Sequence, residues 1–450
     1  MQNTRTHQQN KQTTTGYSRV HTITVAAPPH ITSYQLTLSS DEDAVAPPQH
    51  SERKWAYMFF IAGCKPEEPG TCMGMLYNAM IAGRIFRRSN TTADVVAVVE
   101  MHYQTKHDAL PDDQVQMLTA SGVKILYLEK PSESSNFMET TLRKFDVLLF
   151  DQYSRVLFLD ADVMPFCSMD YLFELSDPDP ATITAQQQPV LRENLVLGWK
   201  IEPANAGFFM LRPSKKFHAE LKAIIKRRFD EAATMTGKLQ FNRTHGWGHV
   251  FEGGDDVWRS LYKVEFREGR SNTEWNWHGE ICDQGLLYYW VKYHRKDVSI
   301  ALGNEIEHWV DRDGRAVLDH RDRDILKQYT CSGTIMNRLR DRSINGASPY
   351  ADFHHFTGQS KPWLKGEMNE TSIQRFASPD TITHSVDLWW HELYQAQQEL
   401  NFTIGYGVMK RHAAYGAFAT TKQLKMSTAK HKHKHENKNN HENPGADAQG

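Results

Sequence analysis

The sequence lacks a surplus of charge. Its 52 Lys and Arg residues against 54 Asp and Glu leave a formal net charge of −2 over 450 residues. A protein that grips nucleic acid carries a basic excess, so a polynucleotide partner is argued against. A long apolar run is also missing: the longest, Trp55 to Cys64, is about half of the roughly 20 residues that a membrane-spanning helix needs. Nor do the first residues show the basic-then-apolar pattern of a secretory signal. On these grounds the chain reads as having no membrane span and as cytoplasmic. Cysteine is scarce as well: the five, Cys64, Cys72, Cys167, Cys282 and Cys331, include no C-x-x-C pair. Neither a zinc ribbon nor a dense disulfide framework is indicated, and an odd number leaves at least one thiol free.

What is present is apolar material, 40% hydrophobic with 11% aromatic, enough for one large core or two modest ones. Residues 1–53 are rich in Gln, Thr, Ser and Pro and poor in large apolar side chains. Such a composition cannot offset the entropy of ordering and reads as a disordered arm. Residues 422–450 are rich in Lys, His and Asn, with His431, His433, His435 and His441 among them, and read as a second solvated tail. The folded body is expected between them, over 54–400. Sequons at Asn90, Asn242, Asn369 and Asn401 matter only in a secretory compartment.

Along the body the periodicity alternates. Trp55–Ile61 reads as a buried strand, Cys72–Arg87 as a helix, Asp94–Glu100 as a strand, Asp112–Ala120 as a helix and Val123–Leu128 as a third strand. Met138, Leu142, Phe145 and Leu149 fall on one helical face. After a turn at 152–155 comes Val156-Leu157-Phe158-Leu159, a run suited to a central parallel strand buried on both faces. The alternation predicts an α/β fold with a mostly parallel central sheet flanked by helices.

That last run ends at Asp160-Ala161-Asp162. In extended chain alternate side chains point the same way, so the two carboxylates face one side. Open α/β sheets bind ligands beyond the carboxyl ends of their strands, where this pair would sit. Two hard oxygen ligands there suit Mg²⁺ or Mn²⁺, whose remaining positions are filled by phosphates and water. D-x-D itself is common, and 41/43, 177/179, 311/313 and 322/324 also match. The apolar strand before 160–162 is what singles it out; the alternative is a strand-end turn with solvated Asp residues.

Phe158-Leu159-Asp160-Ala161-Asp162 is followed by Asn205-Ala206-Gly207-Phe208-Phe209-Met210, by Asp283-Gln284-Gly285 and by His355-Phe356-Thr357-Gly358-Gln359-Ser360-Lys361-Pro362-Trp363. Together and in this order, across Trp55 to Trp363, these segments resemble the glycogenin-like retaining glycosyltransferases of family 8. The resemblance implies the GT-A nucleotide-diphospho-sugar transferase fold, a UDP-sugar donor, a divalent cation (Mn²⁺, with Mg²⁺ as the alternative), and transfer of a hexose or related sugar with retention of configuration. It leaves the acceptor among a glycan, a small polyol and a tyrosine of the chain itself. Many relatives work in the Golgi lumen, so an N-terminal anchor preceding this sequence would move the expected location there.

By the same resemblance His355 joins Asp160 and Asp162 on the metal, as a neutral imidazole that favours Mn²⁺. Lys144, Ala161, Asn205, Ala206, Gly358 and Lys361 contact the donor, and Asp283 and Gln284 stand near the anomeric carbon as the catalytic pair. Gly358 allows close backbone approach, and Lys361 places a point charge on the departing diphosphate. Asp283 also fits a helix N-cap, and Trp363 reads as a packing anchor.

Three features depart from the family. Its Tyr-x-x-Gly, whose tyrosine stacks on uracil, has no counterpart in 63–74: no tyrosine stands three residues before Gly70 or Gly74. Glu280 stands where an Asp is expected. A longer stretch between Phe217 and Asp283 carries Trp247, Trp258, Trp275 and Trp277, either a stacking platform for an acceptor sugar or a packed insertion. Two other functions compete. A nucleotidyltransferase would show a Gly-rich loop after the first strand, which 62–74 does not supply. A catalytically silent GT-A-fold sugar-nucleotide-binding protein would have no chemical need for all of Asp160, Asp162, Asp283, Gln284, His355 and Lys361.

Overall fold

The computed structural model describes residues 24–25, 54–68, 70, 72–131, 137–177, 191–199, 202–234, 243–250, 275, 277, 279–295, 297–302, 309–311, 316–318, 352–358, 361–364 and 373–402. The tail at 422–450, Trp258, Asn242 and Asn369 lie outside them, as does the N-terminal arm apart from β1 (Thr24–Val25).

Apolar runs build the centre. Strands β2 (Trp55–Cys64), β3 (Asp94–Met101), β4 (Val123–Leu128) and β5 (Arg155–Asp160) lie side by side and parallel, in the order β4-β3-β2-β5. Past β5 come β6 (Val163–Pro165), β7 (Asn194–Trp199), β8 (Glu202–Leu211), β9 (Val298–Leu302), β10 (Trp309–Asp311) and β11 (Ala316–Leu318). The ten-stranded sheet reads β1-β4-β3-β2-β5-β8-β7-β9-β10-β11. Strand β8 runs antiparallel to both neighbours, and β7 and β9 are again parallel. A separate two-stranded sheet pairs β6 with β12 (Phe353–His355).

Helices cover both faces, which is why the strands read as continuous apolar runs. On β2, Tyr57, Phe59 and Ile61 enter one core while Ala56 and Met58 enter the other; on β5, Leu157 and Leu159 divide from Val156 and Phe158 in the same way. The first core packs under α1 (Met73–Arg88), α2 (Asp112–Ala120), α4 (Asp170–Ser176) and the last helix, α7 (Ser385–Leu400). The second packs under α3 (Phe137–Leu142), α5 (Lys215–Thr234) and α6 (Asp283–Tyr289). Each fully buried Phe or Leu here contributes about 1.5–3 kcal/mol. Arg84 of α1, buried, pins α7 through Glu392 (3.2 Å) and Glu399 (2.5 Å).

The expected α/β fold with a mostly parallel sheet flanked by helices is what forms. Helix α2 and strand β4 occupy the residues read for them, and β2 runs three residues past Ile61. The face read over 138–149 is α-helical only to Leu142 and continues as a 3₁₀ segment from Arg143 to Leu149. Among the described residues no helix is long and apolar enough to cross a membrane.

Candidate active site

Strand β5 is the innermost parallel strand, bordered by parallel β2 and antiparallel β8, and its carboxyl end carries Asp160. Three residues later the chain enters β6, whose partner β12 sets His355 opposite Val163; the Phe356 N–H donates to the Asp162 carbonyl at 2.9 Å. This ladder brings a residue 193 positions away onto the Asp pair. The ligating atoms of Asp160, Asp162 and His355 all lie within 4.8 Å of one another. His355 Nε2 stands 3.1 Å from Asp162 Oδ1 and 3.9 Å from Asp160 Oδ2. Gly207 is required beside it, because a Cβ there would overlap the His355 ring and the Asn205 amide oxygen.

The electrostatics are those of crowded carboxylates. Burial pushes Asp160 up from its ordinary range, and the like charge of Asp162 adds to this despite Lys144. For Asp162 burial acts the same way but is outweighed by His355 and Lys361, which hold its carboxyl well below the usual range. Burial would lower His355, yet Asp162 holds the imidazole above its ordinary value.

Lys144 lies in the 3₁₀ segment, buried beneath the pair. Its three N–H donors meet Asp160 Oδ1 at 2.9 Å, Asp283 Oδ2 at 2.5 Å and the Ala206 carbonyl at 3.2 Å. Desolvation would lower its pKa; the two carboxylates more than compensate, so it stays charged. Three of the four motif segments thus meet on one ammonium. Asp283 opens α6, but the N-cap position belongs to Cys282, with no side-chain cap, and the Asp283 carboxylate turns to Lys144 instead. Asn205 is buried, its amide oxygen accepting the Gly207 N–H at 2.8 Å. Ala206 is buried, and Ala161 is buried between the two Asp residues.

Lys361 contacts Asp162 and donates to the Phe356 carbonyl at 3.2 Å. Gly358, before it, has φ 59°, the left-handed region that favours glycine, with open space where a Cβ would point. Trp363 is the anchor expected: buried, with its indole lying against Gly74 of α1 and 5.6 Å from Trp389.

The segment lacking the uracil-stacking tyrosine is closed instead by a disulfide between Cys64, ending β2, and Cys72, preceding α1. Their spacing gave no pairing signal, since a strand end and a helix start meet only in the fold. Cys167 is also disulfide-bonded. Among the described residues Cys282 is free, as the odd cysteine number requires, and its thiol is pushed up to about 12 by burial and by Asp283.

Of the tryptophans offered as a sugar platform, Trp247, Trp275 and Trp277 are 2%, 0% and 5% exposed and belong to the second core. Trp275 and Trp277 stack at 4.9 Å. These three indoles are packing, as the alternative reading had it. A charged cluster that composition did not reveal lies under the 3₁₀ segment: Arg143 pairs with Glu100 of β3, and Asp146 accepts from His218 at 2.9 Å and pairs with Lys222 at 3.0 Å.

No protein-family model matches the chain. Over 161 residues it is 27% identical to an Arabidopsis thaliana protein whose assigned name is UDP-glucuronate:xylan alpha-glucuronosyltransferase 3; the match spans 34% of this chain and 24% of that one. The glycosyltransferase GlyE of Streptococcus pneumoniae aligns with 78% of this chain and 63% of its own length, at 15% identity and a TM-score of 0.36. The galactosyltransferase LgtC, solved with donor and acceptor sugar analogues, aligns with 78% of this chain and 98% of its own, at 13% identity and a TM-score of 0.34. Each of these three proteins that the chain is similar to is, by its name, a glycosyltransferase.

Proposed function

We propose that the chain is a metal-dependent retaining glycosyltransferase of the GT-A type, moving a hexose or related sugar from a UDP-sugar to a hydroxyl. The observation that carries this reading is the convergence of Asp160, Asp162 and His355 within 4.8 Å at the carboxyl end of a central strand, with Lys361 on Asp162 and Lys144 joining Asp160 to Asp283. Burial and, after it, the like charge of Asp162 push Asp160 up despite Lys144, and a cation held between the two carboxylates would relieve that crowding. Two carboxylates and one imidazole suit Mn²⁺ better than Mg²⁺, which takes oxygen. Such an ion, when bound, neutralises charge on a diphosphate and makes it a better leaving group.

The protein's own groups have distinct tasks in this reading. Lys361 supplies a point charge for the departing diphosphate, where preorganised electrostatics contribute most. Gly358 lets the backbone close over the phosphates. Asn205 offers an amide to a sugar hydroxyl. Asp283 and Gln284 stand at the sugar end, Asp283 held in place by its ion pair with Lys144, and stabilise positive charge on the sugar ring. The acceptor is a glycan, a small polyol or a tyrosine of the chain itself. The bonded cysteines favour the oxidising Golgi lumen over the cytoplasm.

The test is release of UDP or GDP from a panel of nucleotide sugars with Mn²⁺, without acceptor, alongside intact mass. UDP-glucuronate belongs in the panel because of the plant relative's name. One donor should turn over, and Asp162→Ala should lower that rate by roughly 10²-fold or more. Near-normal turnover in Asp162→Ala sinks the metal-site reading. A mass gain marks the chain as its own acceptor.

A further inference from the structure

We propose that Trp247 is a positioning residue for Gln284, acting from behind the turn that carries it; this rests on the catalytic role given to Gln284 above. The turn is 279–285. Gly279 has φ 79°, and a Cβ on it would overlap the Gln284 side chain, so the Gln284 amide lies directly across it. Six residues on, a Cβ at Gly285 would overlap the Glu280 carbonyl. The two glycines let one strand of the turn fold flat onto the other, and the Gly285 N–H closes it on the Gly279 carbonyl at 3.2 Å.

Folding this tightly leaves the Glu280 carbonyl turned inward, and the Trp247 indole meets it. Trp247 Nε1 donates to Glu280 O at 2.9 Å, and the same nitrogen would stand 2.8 Å from a Cβ at Gly285. Trp247 cannot drift from there. Its own carbonyl accepts from Arg227 of α5 at 3.2 Å. Trp275 lies against Gly246, where φ is 48°, and is itself tied to the His249 carbonyl at 2.7 Å and the Arg243 carbonyl at 2.7 Å. The described stretch 243–250, with Trp275 behind it, therefore backs the turn. Among the described residues Arg243 also stands 4.0 Å from the Glu280 carboxylate, but the Trp247 bond is made to the Glu280 backbone and so sets how far Glu280, and with it Gln284, stands toward the sugar end of the site. A displacement of about 1 Å in such a group costs up to roughly 100-fold in rate.

The experiment compares Trp247→Phe, which removes the N–H, with Trp247→His, which fills less volume but keeps a ring N–H, and with Trp275→Phe, which opens similar space without touching Glu280. Donor KM, kcat, unfolding and amide exchange over 279–288 are measured for each, with Gln284→Ala in parallel. The expected result is a kcat roughly 10- to 100-fold lower in Trp247→Phe at unchanged donor KM, faster exchange over 279–288, partial recovery of both in Trp247→His despite lower stability, and near-normal kcat in Trp275→Phe. A purely space-filling indole gives the opposite order, with Trp247→Phe more active than Trp247→His, and overturns the proposal. So does equal loss in Trp275→Phe. If Trp247→Phe keeps full kcat while Gln284→Ala is inactive, the positioning role alone falls; full kcat in both removes the catalytic role of Gln284 and the positioning role with it.

Discussion

Lys144 shows how much one side chain can hold. Its ammonium is the shared counter-ion of Asp160 and Asp283, which come from a strand end and a helix start far apart in sequence. Removing one partner of a buried ionic set leaves an uncompensated charge, at a cost of about 3–5 kcal/mol. Asp160 is 29% exposed at its side chain, so solvent softens the loss. Lys144→Met should therefore destabilise the fold by about 3 kcal/mol in urea unfolding at neutral pH. Adding Asp283→Asn should recover part of that, because one of the two stranded charges is gone. A double variant as unstable as the single would show that packing, not charge, accounts for the loss.

Among the elements, α1 and the loop carrying Lys361 are interlocked through Gly74 and Trp363. Gly74→Ala forces the indole to move, an overpacking cost of about 1–3 kcal/mol. Because Trp363 is two residues from Lys361, donor KM should rise as well. Gly83→Ala is the control: its Cβ meets Val123 and the Ser121 carbonyl, so it should destabilise comparably and leave KM unchanged in steady-state assays. Replacing Cys64 and Cys72 by Ser opens the staple at the other end of the same region, with an expected loss of about 2–3 kcal/mol from a loop this short, read by denaturant unfolding with and without reductant.

This interlocking also marks how far the sequence could be read. Strands β2 to β5 were legible because an apolar run bounded by turn residues has one stable place in an α/β sheet. The Asp pair, His355 and Lys361 were legible through residue type and order. What could not be read is contact between distant segments: that β12 pairs with β6 to deliver His355, that Lys144 turns to Asp283 as well as Asp160, and that the disulfide closes the missing-tyrosine segment. The tryptophans were ambiguous for a different reason. An indole that stacks on sugar and one that fills a core look alike until burial is known.

At the scale of the whole molecule, the cluster beneath the 3₁₀ segment joins β3, that segment and α5, and so couples the parallel half of the sheet to the helix after β8. Two of its carboxylates answer pH in opposite senses. Asp146, in spite of burial, is held low by the His218 hydrogen bond and by Lys222, so its contribution is present above the ordinary carboxylate range and lost as acid protonates it. Glu100 is raised from 4.5 to about 7, chiefly by burial, which Arg143 opposes without overcoming. A carboxyl whose folded pKa lies above its unfolded one favours the fold fully below the unfolded value, and loses that contribution as pH rises through the folded value. Between pH 4.5 and about 7 the wild-type protein should therefore lose on the order of 3 kcal/mol relative to Glu100→Gln, whose neutral amide does not titrate. Urea unfolding of both proteins at half-unit pH steps gives the difference directly, with every other titrating group common to the two. A difference curve that falls across this window places desolvation above the Arg143 pairing. One that rises shows that the ion pair governs Glu100 and that the carboxylate is charged throughout.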